Sequence, residues 1–75
     1  MYHTIEFRAA GTVDLEVSPT QPLEQLRIRK GTRLKAQVRP YVVETSDGPV
    51  EVADLFFDNG ATARSMPFDL FSFVD

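Results

Sequence analysis

Apolar residues return at every second position along most of this chain. Ile5 and Phe7 alternate with Thr4, Glu6 and Arg8, and Val13, Leu15 and Val17 alternate with Thr12, Asp14 and Glu16. Leu26 and Ile28 share one parity, and so do Leu34, Ala36 and Val38. Successive side chains of an extended strand point to opposite faces, so this pattern specifies strands with one wet side. Turn signals cut the alternation into short pieces: Ala10-Gly11, the proline-containing SPTQP, Lys30-Gly31, Asp47-Gly48, Asn59-Gly60 and Met66-Pro67-Phe68. The expectation is an all-β fold: a small single-domain antiparallel barrel or sandwich of five to seven short strands, with at most one short helical turn.

Within that single domain, residues 3–17 read as an N-terminal hairpin, residues 18–22 as a loop held open by Pro19 and Pro22, and residues 25–75 as barrel-like strands. PLEQL, residues 22–26, is the place for one helical turn. The segment around Lys30-Gly31 reads as a second hairpin. A three-residue loop there pairs Ile28 with Leu34 and Leu26 with Ala36, which keeps apolar side chains on one face. The same register sets Arg29 against Arg33 and Arg27 against Lys35. Like charges in direct opposition destabilise a strand pair, so that arrangement needs compensation.

Charge is distributed unevenly. The chain has eight Lys and Arg against eleven Asp and Glu, a net −3, yet residues 25–43 hold six cations and no acid. The remainder is therefore at −9. A local positive field on an acidic molecule suits a small oriented contact better than the wrapping of a polyanion. The candidate binding residues are Arg27, Arg29, Arg33, Lys35 and Arg39, with Tyr41 as the aromatic neighbour. Two accounts stand side by side. These cations pair internally with Glu6, Asp14, Glu16, Glu44 or Glu51, each exposed pair worth ~0–1 kcal/mol, or they face an anionic partner. An acidic protein partner is the first expectation and nucleic acid the alternative, since single-stranded nucleic acid calls for more aromatic platforms than Tyr41 alone.

From Ile28 onward the layout resembles the small barrels of the Src-homology, Tudor and KOW kind. The resemblance rests on IRKGTRLKAQV, a basic strand entering through a Lys-Gly turn. It rests also on VEVADLFFDNGATARSMPFDLFSFVD, two strands joined by Asp-Asn-Gly and closed by a Met-Pro-Phe turn and a last strand. It implies a binding module for peptides, nucleic acids or modified side chains, by analogy of fold. The aromatic cage of a methyl-lysine reader is not carried over, because Tyr2 and Tyr41 are the only tyrosines and tryptophan is absent.

Other chemistry finds little footing. There is no cysteine, hence no disulfide and no thiolate metal framework. His3 is the only histidine, and Asp54, Asp58 and Asn59 do not match a calcium loop. No catalytic triad, phosphate loop or zinc-helix signature occurs, so no catalytic residue, metal or cofactor is expected. No apolar run reaches the ~18–20 residues that span a bilayer, and MYHTIEFRAAG does not read as a signal peptide. The expectation is a non-catalytic cytoplasmic interaction module, a monomer or weak homodimer, without membrane contact. Phe56 and Phe57 point to opposite sheet faces, so one ring of the pair is a candidate surface contact while the other phenylalanines fill the core.

Overall fold

The computed structural model describes residues 1–75 and contains seven antiparallel strands and no α-helix. The strands are β1 (His3–Phe7), β2 (Gly11–Leu15), β3 (Glu24–Ile28), β4 (Arg33–Thr45), β5 (Gly48–Phe57), β6 (Thr62–Pro67) and β7 (Phe71–Phe73). A 3₁₀ turn at Phe68–Leu70 joins the last two. Five strands form one sheet in the order β6-β5-β4-β1-β7, and β2 and β3 form a separate ribbon.

One core lies between the sheet and the ribbon. Ile5, Phe7, Ala36, Leu55, Phe57 and Phe71 meet Val13, Leu15 and Ile28 in a single cluster. The alternation therefore identified the inward faces correctly, with the exception of Val17, which lies past the end of β2 and is exposed. Burying each large apolar side chain is worth about 1.5–3 kcal/mol. In a domain this small, the ribbon's three core side chains are a substantial part of its attachment.

The strand partners differ from those the sequence suggested. Residues 3–17 are not a hairpin: β1 pairs with β4 on one side and β7 on the other, while β2 pairs with β3. With both edges of β1 occupied, β2 cannot join it, and the intervening residues cross from sheet to ribbon. β1 is thus an integral strand of the sheet that the barrel resemblance had drawn from residues 28–75 alone. The segment around Lys30-Gly31 is not a hairpin either. Leu26 pairs with Val13 and Ile28 with Gly11, whereas Leu34 pairs with Ile5. Each of these side chains keeps its predicted inward face, but the opposition of Arg29 to Arg33 and of Arg27 to Lys35 does not occur. The turn instead hands the chain from ribbon to sheet. Thr32 donates its N–H to Arg29, and Gly31 donates to the Phe7 carbonyl at 2.8 Å. Gly31 sits at φ 87°, a left-handed conformation that glycine adopts without steric cost.

The PLEQL segment is not helical, since Glu24–Ile28 is strand, and the one helical turn follows Pro67. Pro67 fixes its own φ at −61° and leads into the turn, after which the short closing strand forms as the sequence indicated. The β4–β5 loop holds Ser46 and Asp47, with Gly48 already the first residue of β5, one position earlier than the Asp47-Gly48 signal implied.

Candidate functional site

The six candidate residues divide between two places. Arg33, Lys35, Arg39 and Tyr41 share one parity on β4 and lie on the sheet face turned away from the core. Arg27 lies on β3, opposite Thr12 of β2, and Arg29 sits in the turn that follows. The continuous stripe of the sequence is therefore two basic groups on different sheets.

Internal pairing accounts for only one of the six cations in residues 26–39. Arg33 binds Glu6 at 3.0 Å across β1 and β4. Arg27, Arg29, Lys30, Lys35 and Arg39 are exposed, and none is within ion-pair distance of a carboxylate. Glu16, one of the anticipated partners, is instead taken by Arg64 at 2.9 Å.

On the outer sheet face Phe56 lies opposite Gln37 on β4 and Thr62 on β6. It is half-buried, while Phe57 is in the core, so the adjacent rings do part to opposite faces. Phe56 thus shares a face with Lys35 and Arg39. Of the remaining rings, Phe71 is buried and Phe68 packs against the core. Phe73 is 48% exposed and stacks edge-on with His3 at 5.2 Å.

Beside Arg39 is a polar cluster that no sequence motif marks. Asp54 is the one buried charged residue, 7% exposed. At this point β6 carries an extra residue: Ala53 faces Met66 and Leu55 faces Ala63, so Arg64 and Ser65 together oppose Asp54. Ser65 sits at φ 56°, unusual for a residue with a Cβ, and its N–H donates to Asp54 Oδ1 at 2.9 Å. The Tyr41 hydroxyl donates to the same oxygen at 2.8 Å, and Arg64 Nη1 reaches Oδ2 at 3.2 Å. Tyr41 Oη and Ser65 Oγ lie 2.6 Å apart. Tyr41, expected as a free aromatic contact, therefore has its polar end committed to the fold.

Electrostatics follow this geometry. Burial pushes the Asp54 carboxyl up, but the Ser65 N–H, the Tyr41 hydroxyl and the Arg64 and Arg39 charges outweigh it and hold the group below its ordinary value. The hydrogen bond and charge of Arg64 likewise lower Glu16 and raise Arg64 itself. Arg64 thus ties β2, through Glu16, to the bulge on β6. The cue was present in VADLFF, where an acid interrupts an apolar run and must find partners if it is buried.

Compared with protein-family models, curated proteins and solved structures, the chain matches none of them.

Proposed function

We propose that this chain is a non-catalytic interaction module that binds an acidic segment of another protein through its basic residues. The observation that carries the proposal is that five of the six cations in residues 26–39 stay exposed with no carboxylate within 4 Å, and of the five only Arg39 lies opposite an acid, Asp54. Acids outnumber cations in the chain, so partners were not in short supply. A field left unpaired in this way favours encounter with negative surfaces and disfavours positive ones. The resemblance to Src-homology-like small barrels adds support by analogy. In the open strand order β6-β5-β4-β1-β7, β4, β5 and β6 form a meander, the chain's first and last strands are neighbours, and a 3₁₀ turn precedes the last strand. Such a fold offers exposed faces and edges for binding, although fold alone does not assign function.

The test is chemical-shift mapping of the isotope-labelled chain during titration with hexaglutamate. Binding in the range of about 1 mM or tighter, with shifts at Arg27, Arg29, Lys30, Lys35 and Arg39, supports the proposal. Absence of any shift at that concentration overturns it.

One observation favours nucleic acid as a second reading: half-buried Phe56 shares the outer face with unpaired Lys35 and Arg39. A base stacked on that ring would bring phosphate toward both cations. This reading requires binding to a single-stranded oligonucleotide that weakens steeply as salt rises, and no association at about 50 mM salt removes it.

A further inference from the structure

The last strand of the sheet has a free side. β7 is bonded to β1, with the Val74 N–H donating to the Thr4 carbonyl at 3.0 Å and the Arg8 N–H to the Leu70 carbonyl at 2.9 Å. Main-chain groups alternate in direction along a strand, so Leu70, Ser72 and Val74 turn theirs toward β1, and Phe71 and Phe73 turn theirs away. No strand lies on that far side. β7 ends the order β6-β5-β4-β1-β7, and β1 is the one strand packed alongside it. The N–H and C=O groups of Phe71 and Phe73 therefore find no partner within the chain.

Side chains at this edge are apolar and unprotected. Phe73 shares the parity of buried Phe71 and lies opposite buried Ile5, yet it is 48% exposed. The core side of the sheet thus runs out to an uncovered ring at its rim. Leu70 and Val74 are exposed as well. Sheet edges are ordinarily blunted by charge, proline or a bulge. β3, which also has an unpaired side, carries Glu24 and Arg27. Residues 70–74 carry neither charge nor proline, and the β1–β7 register has no bulge. They read Leu-Phe-Ser-Phe-Val, almost the same in both directions about Ser72. A two-fold strand pair demands that symmetry, because each position meets its mirror about the centre.

We propose that β7 is a self-association edge, at which a second copy of the chain adds its own β7 antiparallel about a two-fold axis through Ser72. In this register Phe71 meets Phe73 of the second copy and exchanges both main-chain bonds with it, and symmetry repeats the pair. Leu70 falls opposite Val74, so every pair beside the axis is apolar. Two such edges cover roughly 600–800 Å² in total, against about 1,600 Å² for a standard interface, so the dimer is weak and reversible. The nearest charges are Asp69 and Asp75 of opposite copies, brought together at each end. Asp75 also accepts the Thr4 N–H and lies 3.4 Å from His3. Salt screens the repulsion between these acids, so the dimer tightens as salt rises. Binding of an acidic partner by the basic residues has the opposite salt dependence, which keeps the two surfaces separable.

The test is sedimentation of the full chain between about 10 μM and about 2 mM, with hydrogen exchange followed over the same concentrations. The expected result is a monomer–dimer equilibrium with a Kd of about 0.1–1 mM. It tightens about threefold between about 50 mM and about 500 mM salt. Exchange at the Phe71 and Phe73 amides slows about threefold as concentration rises, while the Gln25 and Arg27 amides on β3 are unchanged. A chain synthesised with an N-methyl group on Phe73 keeps that side chain and its bonds to β1 but loses the outward donor. Its association weakens about tenfold, with no change in the urea midpoint. A chain that stays monomeric at about 2 mM overturns the proposal. So does a dimer that the N-methyl group leaves intact, or one whose exchange slows on β3 instead. A dimer that loosens as salt rises overturns it too.

Discussion

The carboxylate of Asp54 accepts the backbone N–H of Ser65 at 2.9 Å, across the one place where β5 and β6 fall out of step. The acid lies where an apolar side chain would leave the Ser65 N–H at the bulge without this acceptor. Asp54→Ala removes that acceptor, together with the partner of the Tyr41 hydroxyl and of one Arg64 nitrogen. Hydrogen bonds to charged groups contribute about 1.5–3 kcal/mol each, and the surviving Tyr41–Ser65 contact offsets part of the loss. The expected net cost is about 2 kcal/mol, read as a lower urea midpoint with an unchanged slope.

Acid should reveal the same cluster. The folded Asp54 carboxyl titrates below its ordinary value of 3.8, so the folded state favours the charged form. Its contribution is complete above that ordinary value and disappears as pH falls through the lower, folded one. Glu16, also lowered, acts in the same direction. The urea midpoint of the parent chain is expected to drop between about pH 7 and about pH 3, and that of Asp54→Asn to drop less. Equal drops would mean that Asp54 has no part in the acid sensitivity.

Ser65 carries a backbone conformation that disfavours a side chain, at φ 56°. Ser65→Gly removes that steric cost but also the Oγ contact with Tyr41, so the two effects nearly cancel, within about 1 kcal/mol. Ser65→Val keeps a Cβ, adds a branch there and loses the hydroxyl. It is expected to destabilise by about 2–3 kcal/mol, measured by thermal or urea unfolding.

Gly31 is a similar point in the turn that passes the chain from ribbon to sheet. An added Cβ meets no atom within 4 Å, so the penalty of Gly31→Ala comes from the backbone at φ 87° rather than from a clash. A loss of about 1–2 kcal/mol is expected in urea unfolding, and faster amide exchange at Gly31 would locate it to the bond with Phe7.

Charge reversal separates the paired cation from the free ones. Arg27→Glu and Arg29→Glu touch exposed side chains with no ion-pair partner, and stability should hold within about 0.5 kcal/mol. Arg33→Glu sets a like charge against Glu6 across the strand pair and should cost about 0.5–1 kcal/mol. Denaturant midpoints at low salt read the difference.

Faces were legible in the sequence where partners were not. A period of two places Ile5, Phe7, Val13, Leu15, Ile28 and Ala36 inward whichever strand lies alongside, because each neighbour in an antiparallel sheet presents the same face. Pairing is decided elsewhere. Phe7 gives its main-chain bonds to Gly31 and Thr32, and Ile5 lies between Leu34 and Phe73, both distant in the chain. Short-range turn signals carry no information about such distant partners. For that reason residues 3–17 looked like a hairpin, and the six cations looked like one stripe. The polar cluster escaped because Glu16, Tyr41, Asp54, Arg64 and Ser65 come from separate strands and share no spacing.

With β1 held between β4 and β7, one side of the sheet is assembled from opposite ends of the sequence. A growing chain can lay down the β4–β5–β6 meander early, but β1 must wait for Phe71 to Phe73 to be synthesised before both of its flanks are covered. Until then the core sides of Ile5 and Phe7 have no finished wall to rest on. Such non-local closure predicts slow, late consolidation from a locally ordered precursor, and a nascent domain exposed to misassociation until its final strand arrives.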